Sequence, residues 1–190
     1  ADLGRGGDDE AAEALHELHG GTIGSSLISH EPFANAILPT ALAPFQFDRR
    51  APDSVIQEWM DNPLSQPGSP RATRIDVVCV TFLSDPADYD GGELIIDSSS
   101  NSMPVKLTAG SAAIFPATDF FTMSPVTRGE SWIARCGVQS AIRGTREREI
   151  LTEIWTTLND FKSMQLPQGS PENDGVKILG RARSNLIRLL

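Results

Sequence analysis

Two periodicities divide this chain. From residue 74 to 142, apolar residues fall in short, β-branched runs, and turn residues separate the runs at short, regular intervals. RIDVVCVTFL (74–83), ELIID (93–97), MPVKL (103–107), AAIFP (112–116), FFTMSPV (120–126) and SWIARCGVQSAI (131–142) read as strands. SDPADYDGG, SSSNS, TAGS and TRGE read as the turns between them. This spacing predicts an antiparallel sandwich or jelly roll. On either side the period lengthens to that of helices. EAAEALHELH (10–19) places Ala14, Leu15 and Leu18 near one face, and Gly20-Gly21 is expected to stop it. SSLISHEPFANAIL (25–38) is a second helical stretch, broken or started at Pro32. Beyond the strands, 145–161 aligns Ile150, Ile154, Leu158 and Phe161, and VKILGRARSNLIRLL (176–190) is amphipathic. LAPFQFDRR (42–50) reads as extended, while the proline-rich 51–73 and PQGSPENDG (167–175) read as loops. The expected architecture is α+β: a tail and helix over 1–26, then a jelly-roll domain with C-terminal helices over 27–190.

Composition narrows the partners more than the fold. The chain has 190 residues, 39% hydrophobic and 22% charged, enough for a core. Its net charge of −9 argues against nucleic acid and anionic membranes, which select basic patches. The longest apolar runs, such as VVCV (77–80), are far short of a membrane span, so any membrane association is expected to be peripheral and through protein partners. Cys79 and Cys136 lie in apolar strands and read as buried thiols; their bridging is left open. A chain beginning at Ala1 fits either a removed targeting segment, an organellar one included, or a processed or trimmed start, and leaves the compartment open.

Several stretches together resemble a known family. RIDVVCVTFLSDPADYDGGELIID, VKLTAG, FPAT, SPVTRGE and VQSAIR follow the order and spacing of motifs in the bacterial PKHD-type hydroxylases. These are iron(II)- and 2-oxoglutarate-dependent dioxygenases related to prolyl 4-hydroxylases. HEPFANAILPTALAPFQFDR (30–49) and SNLIRLL (184–190) extend the likeness, which covers about residue 27 to the end. It implies a double-stranded β-helix. It also implies iron held by two histidines and a carboxylate, with a basic residue pairing with 2-oxoglutarate.

Carried over residue by residue, the chemistry is incomplete. The family's H-x-D falls on Trp59-Met60-Asp61, so Asp61 matches while Trp59 replaces the first histidine. Phe121 occupies the second histidine position, and Ser131 the basic position that anchors 2-oxoglutarate. Neither an indole nor a phenyl ring offers a lone pair to a metal. A tyrosine expected near the co-substrate falls on Arg50. The three histidines, His16, His19 and His30, all precede the strands. Arg135, four residues after Ser131, shares its strand face and is a candidate displaced anchor. Asp61 with Asp53, Glu58 or Asp119 is a candidate cation site.

These substitutions lead to the expectation of a non-catalytic, dioxygenase-like protein, a pseudoenzyme with no cofactor. It would serve as a structural or interaction subunit of a larger complex, with Trp132, Trp155 and the last helix as contact surfaces. Two alternatives stand beside it. One is an active Fe(II)/2-oxoglutarate oxygenase with unusual ligation. The other is a carboxylate-binding module using Arg50, Arg135 and Ser131.

Overall fold

The computed structural model describes residues 19–52, 54, 62–98 and 101–190. Trp59, Asp61, Asp53, Glu58, His16 and most of the first expected helix lie outside these residues. The chain forms two compact units, one built on Thr40–Gln139 and the other on Leu27–Pro39 with Ser140–Leu190.

The first unit carries the strands β1 (Pro39–Leu42), β2 (Gln46–Arg50), β3 (Leu64–Ser65), β4 (Thr73–Arg74), β5 (Val77–Phe82), β6 (Asp90–Gly91), β7 (Leu94–Ser98), β8 (Asn101–Val105), β9 (Ala112–Pro116), β10 (Phe120–Met123), β11 (Val126–Arg128) and β12 (Ser131–Ser140). The large sheet runs β1-β12-β5-β9, with β2 also on β12. The small sheet runs β10-β7-β8, and β11–β6 and β3–β4 form short ladders. Val78, Val80, Phe82, Ala113, Phe115 and Ile133 of the large sheet join Leu94, Ile96, Phe121 and Met123 of the small one in a single apolar cluster. Every residue of β5 is buried, so its alternate residues fill both faces. Each such side chain contributes about 1.5–3 kcal/mol. This is the expected α+β jelly roll.

Turns close the ladders where glycine is required. Gly91 has φ +72°, and a Cβ there would stand 2.0 Å from the Pro125 carbonyl oxygen. Cys79 and Cys136 face each other across β5 and β12 as buried thiols not joined by a disulfide.

The second unit holds α2 (Glu31–Ile37), α3 (Thr145–Ser163) and α4 (Pro171–Leu189). Arg183 of α4 ties them together: Nε donates to the Leu151 carbonyl at 3.2 Å and Nη2 to the Asn35 carbonyl at 2.7 Å. The buried Arg148 donates to the carbonyls of Ile142 and Arg143, at 2.7 and 2.8 Å.

Three local expectations are corrected. A helix, α1, occupies 19–29 and passes through Gly20-Gly21 instead of stopping there. Gly24, further along, lies so near Leu42 and Phe45 that a Cβ would meet them at 3.3 and 3.5 Å. The proline-rich 51–73 contains a small antiparallel ladder, β3–β4. The loop over 167–175 is shorter than expected, because Ser170 accepts a hydrogen bond from the Asn173 amide and starts α4 at Pro171. Trp132 and Trp155 are half-buried. Among the described residues, no helix is long and apolar enough to cross a membrane.

Candidate functional site

β12 organises the site. It pairs with β5 in unbroken antiparallel register from Ile133↔Phe82 to Val138↔Val77, and with β2 from Ser131↔Arg50 to Arg135↔Gln46. A regular strand puts residues 131, 133 and 135 on one face. Ile133 on that face belongs to the apolar cluster, so Ser131 and Arg135 share its direction.

The two meet different surroundings. Ser131 is fully buried, and its Oγ has no hydrogen-bond partner among the described residues. The same is true of the hydroxyl of Tyr89. Burial pushes the Tyr89 phenol above its usual pKa, and the nearby Ser131 hydroxyl acts in the opposite direction. Position 131 is thus a sealed, neutral pair of hydroxyls. Arg135 reaches further out. Its guanidinium lies 5.7 Å from the centroid of the Phe121 ring and donates to Gln46 Oε1.

Phe121 is almost wholly buried and packs edge-on against Phe115, with ring centroids 5.2 Å apart. A cavity of about 390 Å³ is lined by Arg135, Gln46, Asn62, Ser65 and Gln66 among others. It lies where the pairing of β12 passes from β1 to β2, under the segment 62–67. Arg135 carries the only formal charge among the described lining residues. Asp119 stands outside this lining, and burial holds its carboxyl above the usual range.

The described residues fit the family's two small-molecule requirements unequally. Phe121 offers iron no donor atom, and among the described residues no three His, Cys, Asp or Glu side chains gather to hold a metal. The ligand set implied by the resemblance is therefore not supplied here, and the proposed grouping of Asp61 with Asp53 and Glu58 lies outside the described residues. A dicarboxylate fares better, since a guanidinium and neutral amides converge on a cavity of suitable size.

Two antiparallel sheets closed on an apolar interior, with a cation beside the cavity, define a jelly-roll protein of the double-stranded β-helix class. Relatives specify it further. The chain is 33% identical over 94% of its length to a PKHD-type hydroxylase of Pseudomonas putida strain F1, covering 82% of that protein. The chain belongs to the PKHD-type hydroxylase family. A relative from Hyphomonas neptunium is 40% identical over 68% of this chain, a match spanning 56% of that relative's length. The chain matches no family model. Among solved structures, a Trichoplax adhaerens prolyl hydroxylase is 16% identical over 71% of this chain and 60% of its own, with a TM-score of 0.46. A Pseudomonas putida prolyl-4-hydroxylase is 16% identical over 74% of this chain and 68% of its own, with a TM-score of 0.42.

Membership overturns three expectations raised by the altered ligand positions. The relatives are hydroxylases, so the chain is not placed as a non-catalytic subunit of an assembly, nor as a pseudoenzyme. The family resemblance also carries Fe(II) and 2-oxoglutarate, so the expectation of no cofactor is withdrawn. The physical reason is one of weight. Three side chains were set against a likeness that runs through 94% of the chain.

Proposed function

We propose that this chain is an Fe(II)- and 2-oxoglutarate-dependent oxygenase of the PKHD type, a hydroxylase whose iron ligation departs from the family's two-histidine, one-carboxylate set. The observation that carries this reading is the 33% identity across 94% of the chain to a protein named as a PKHD-type hydroxylase. The departure follows from Phe121 and Trp59, which stand at the two histidine positions, and from Ser131 at the basic one. Asp61 is the ligand position that keeps a carboxylate. The cavity beside Arg135 supports the 2-oxoglutarate half of the reading, because a guanidinium recognises a carboxylate through paired, charge-assisted hydrogen bonds.

The test is turnover of the co-substrate. Purified protein supplied with Fe(II), ascorbate and 2-oxoglutarate under air is expected to form succinate above the protein-free background. Asp61→Ala is expected to lower that rate at least tenfold, as losing one metal ligand or its support commonly does. Succinate formation equal to background in the wild type overturns the reading.

A further inference from the structure

We propose that Cys79 and Cys136 are a redox pair: under hydrogen peroxide they close a disulfide that staples β5 to β12, the two inner strands of the large sheet.

The strand register brings the two sulfurs together. Cys136 stands directly opposite Cys79 in the unbroken β12–β5 ladder, although the two are far apart along the chain. Directly opposed residues of an antiparallel pair lie about 4.5–5.5 Å apart at Cα. A disulfide spans about 4.4–6.8 Å between the same atoms, so the bond forms without moving the backbone. Strand alternation turns both side chains away from the face that carries Val78, Val80 and Ile133 into the apolar cluster. Two buried thiols that only filled space would have no reason to be direct cross-strand neighbours.

Their surroundings leave the pair to react with itself. Cys79 and Cys136 are 0% and 2% exposed. Among the described residues no group of three His, Cys, Asp or Glu gathers to hold a metal, so the two thiols are not half of a metal centre. The Cys136 thiol hydrogen-bonds to Cys79 and draws the Cys79 thiol below its usual range, with burial opposing it. Cys79 is therefore the attacking sulfur and Cys136 the resolving one, because the thiolate is the nucleophile.

The reaction balances with one peroxide. The Cys79 thiolate attacks an oxygen of hydrogen peroxide; an S–O bond forms, the O–O bond breaks, and the hydroxide released takes the first thiol's proton and leaves as water. The Cys136 sulfur then displaces the hydroxyl of the sulfenic acid. The S–S bond forms, the S–O bond breaks, and the displaced hydroxyl leaves with the Cys136 proton as a second water. Two thiols give up two electrons, and the peroxide is reduced. Burial sets the size of the oxidant, since a peroxide is little larger than water. Cys136 is also among the residues lining the cavity, which brings small solutes to its strand.

The covalent loop from 79 to 136 encloses β6 to β11, and with them the whole small sheet. A crosslink over so long a loop restricts the unfolded chain and raises stability.

The test treats reduced, folded wild-type protein with hydrogen peroxide, removes the oxidant, and alkylates with N-ethylmaleimide in guanidinium. Intact mass and peptide mapping then read the thiols. Both are expected to escape alkylation together, with a peptide linking Cys79 to Cys136, and dithiothreitol is expected to restore them. The oxidised protein is expected to melt about 5–15 °C higher than the reduced one. Peroxide is expected to give Cys136→Ser no such rise, which separates the bridge from methionine oxidation. Two thiols that stay alkylatable under excess peroxide overturn the proposal. So does sulfinic acid on either cysteine without the linked peptide, a linked protein that melts no higher than the reduced one, or an equal rise in Cys136→Ser. The first readouts need only the wild type, so they decide the matter even where the variant does not fold.

Discussion

Phe121 shows how one side chain both removes a chemistry and supports a fold. Its ring stands where the family resemblance expects a histidine, is almost wholly buried, and meets Phe115 edge-on. Truncation would leave a cavity between the two sheets and remove the ring beneath Arg135. Phe121→Ala is expected to destabilise the protein by about 3–5 kcal/mol, read from urea denaturation followed by circular dichroism. That a phenyl ring offers no donor atom at position 121 was legible in the letters alone. The direction of Arg135 was only half legible. Strand alternation places it on the face of Ser131, but whether that face looks inward depends on which strands flank β12. The closed environment of Ser131 was not visible at all, since Tyr89 comes from the distant turn at 84–92 and joins it only in the fold.

Strand ends in the small sheet depend on a polar clamp. The Glu93 amide donates to Ser124 Oγ at 2.9 Å, the Ser124 amide donates to the Glu93 carbonyl at 2.8 Å, and the Ser124 hydroxyl donates to the Glu93 carboxylate. That hydroxyl, and next the Glu93 backbone N–H, hold the carboxyl below its ordinary value of 4.5, with burial opposing them. A depressed folded pKa gives stabilisation that is complete above the ordinary value and is lost as pH falls through the folded one. Ser124→Ala is therefore expected to be less stable than the wild type at neutral pH, with the difference shrinking as the solution is acidified below the carboxylate range. Urea midpoints measured at several pH values check this. Among the elements, β9 and the starts of β12 and α3 coincide with the sequence reading, because β-branched runs or helical periodicity meet a clear turn there. The reading missed the helical residues 20–24 and the β3–β4 ladder. Glycine and proline were counted there as stops, whereas a helix includes Gly20-Gly21 and cross-strand pairing joins 64–65 to 73–74.

For the whole molecule, the family was legible because its motifs are spread over most of the chain, and the function was misjudged because three positions were allowed to outweigh them. The large sheet explains how such a chain keeps its form while its site changes. β12 holds β1 and β2 on one side and β5 on the other, so the barrel depends on backbone ladders more than on any single site residue. Those ladders join distant parts of the sequence: Arg49 pairs with Glu130, 81 residues away, and Thr40 bonds to Gln139 across 99. Architectures dominated by such pairings fold in about milliseconds to seconds. Stopped-flow refolding from urea is expected to fall in that range, and a microsecond phase carrying the full amplitude would contradict it. The central position of β12 also dictates an order of events during synthesis. Until the ribosome has released residues 131–140, the VVCVTF strand has no neighbour on that edge. The nascent protein therefore carries an apolar strand with one edge unpaired while residues 83–130 are made, the kind of edge on which growing chains associate wrongly.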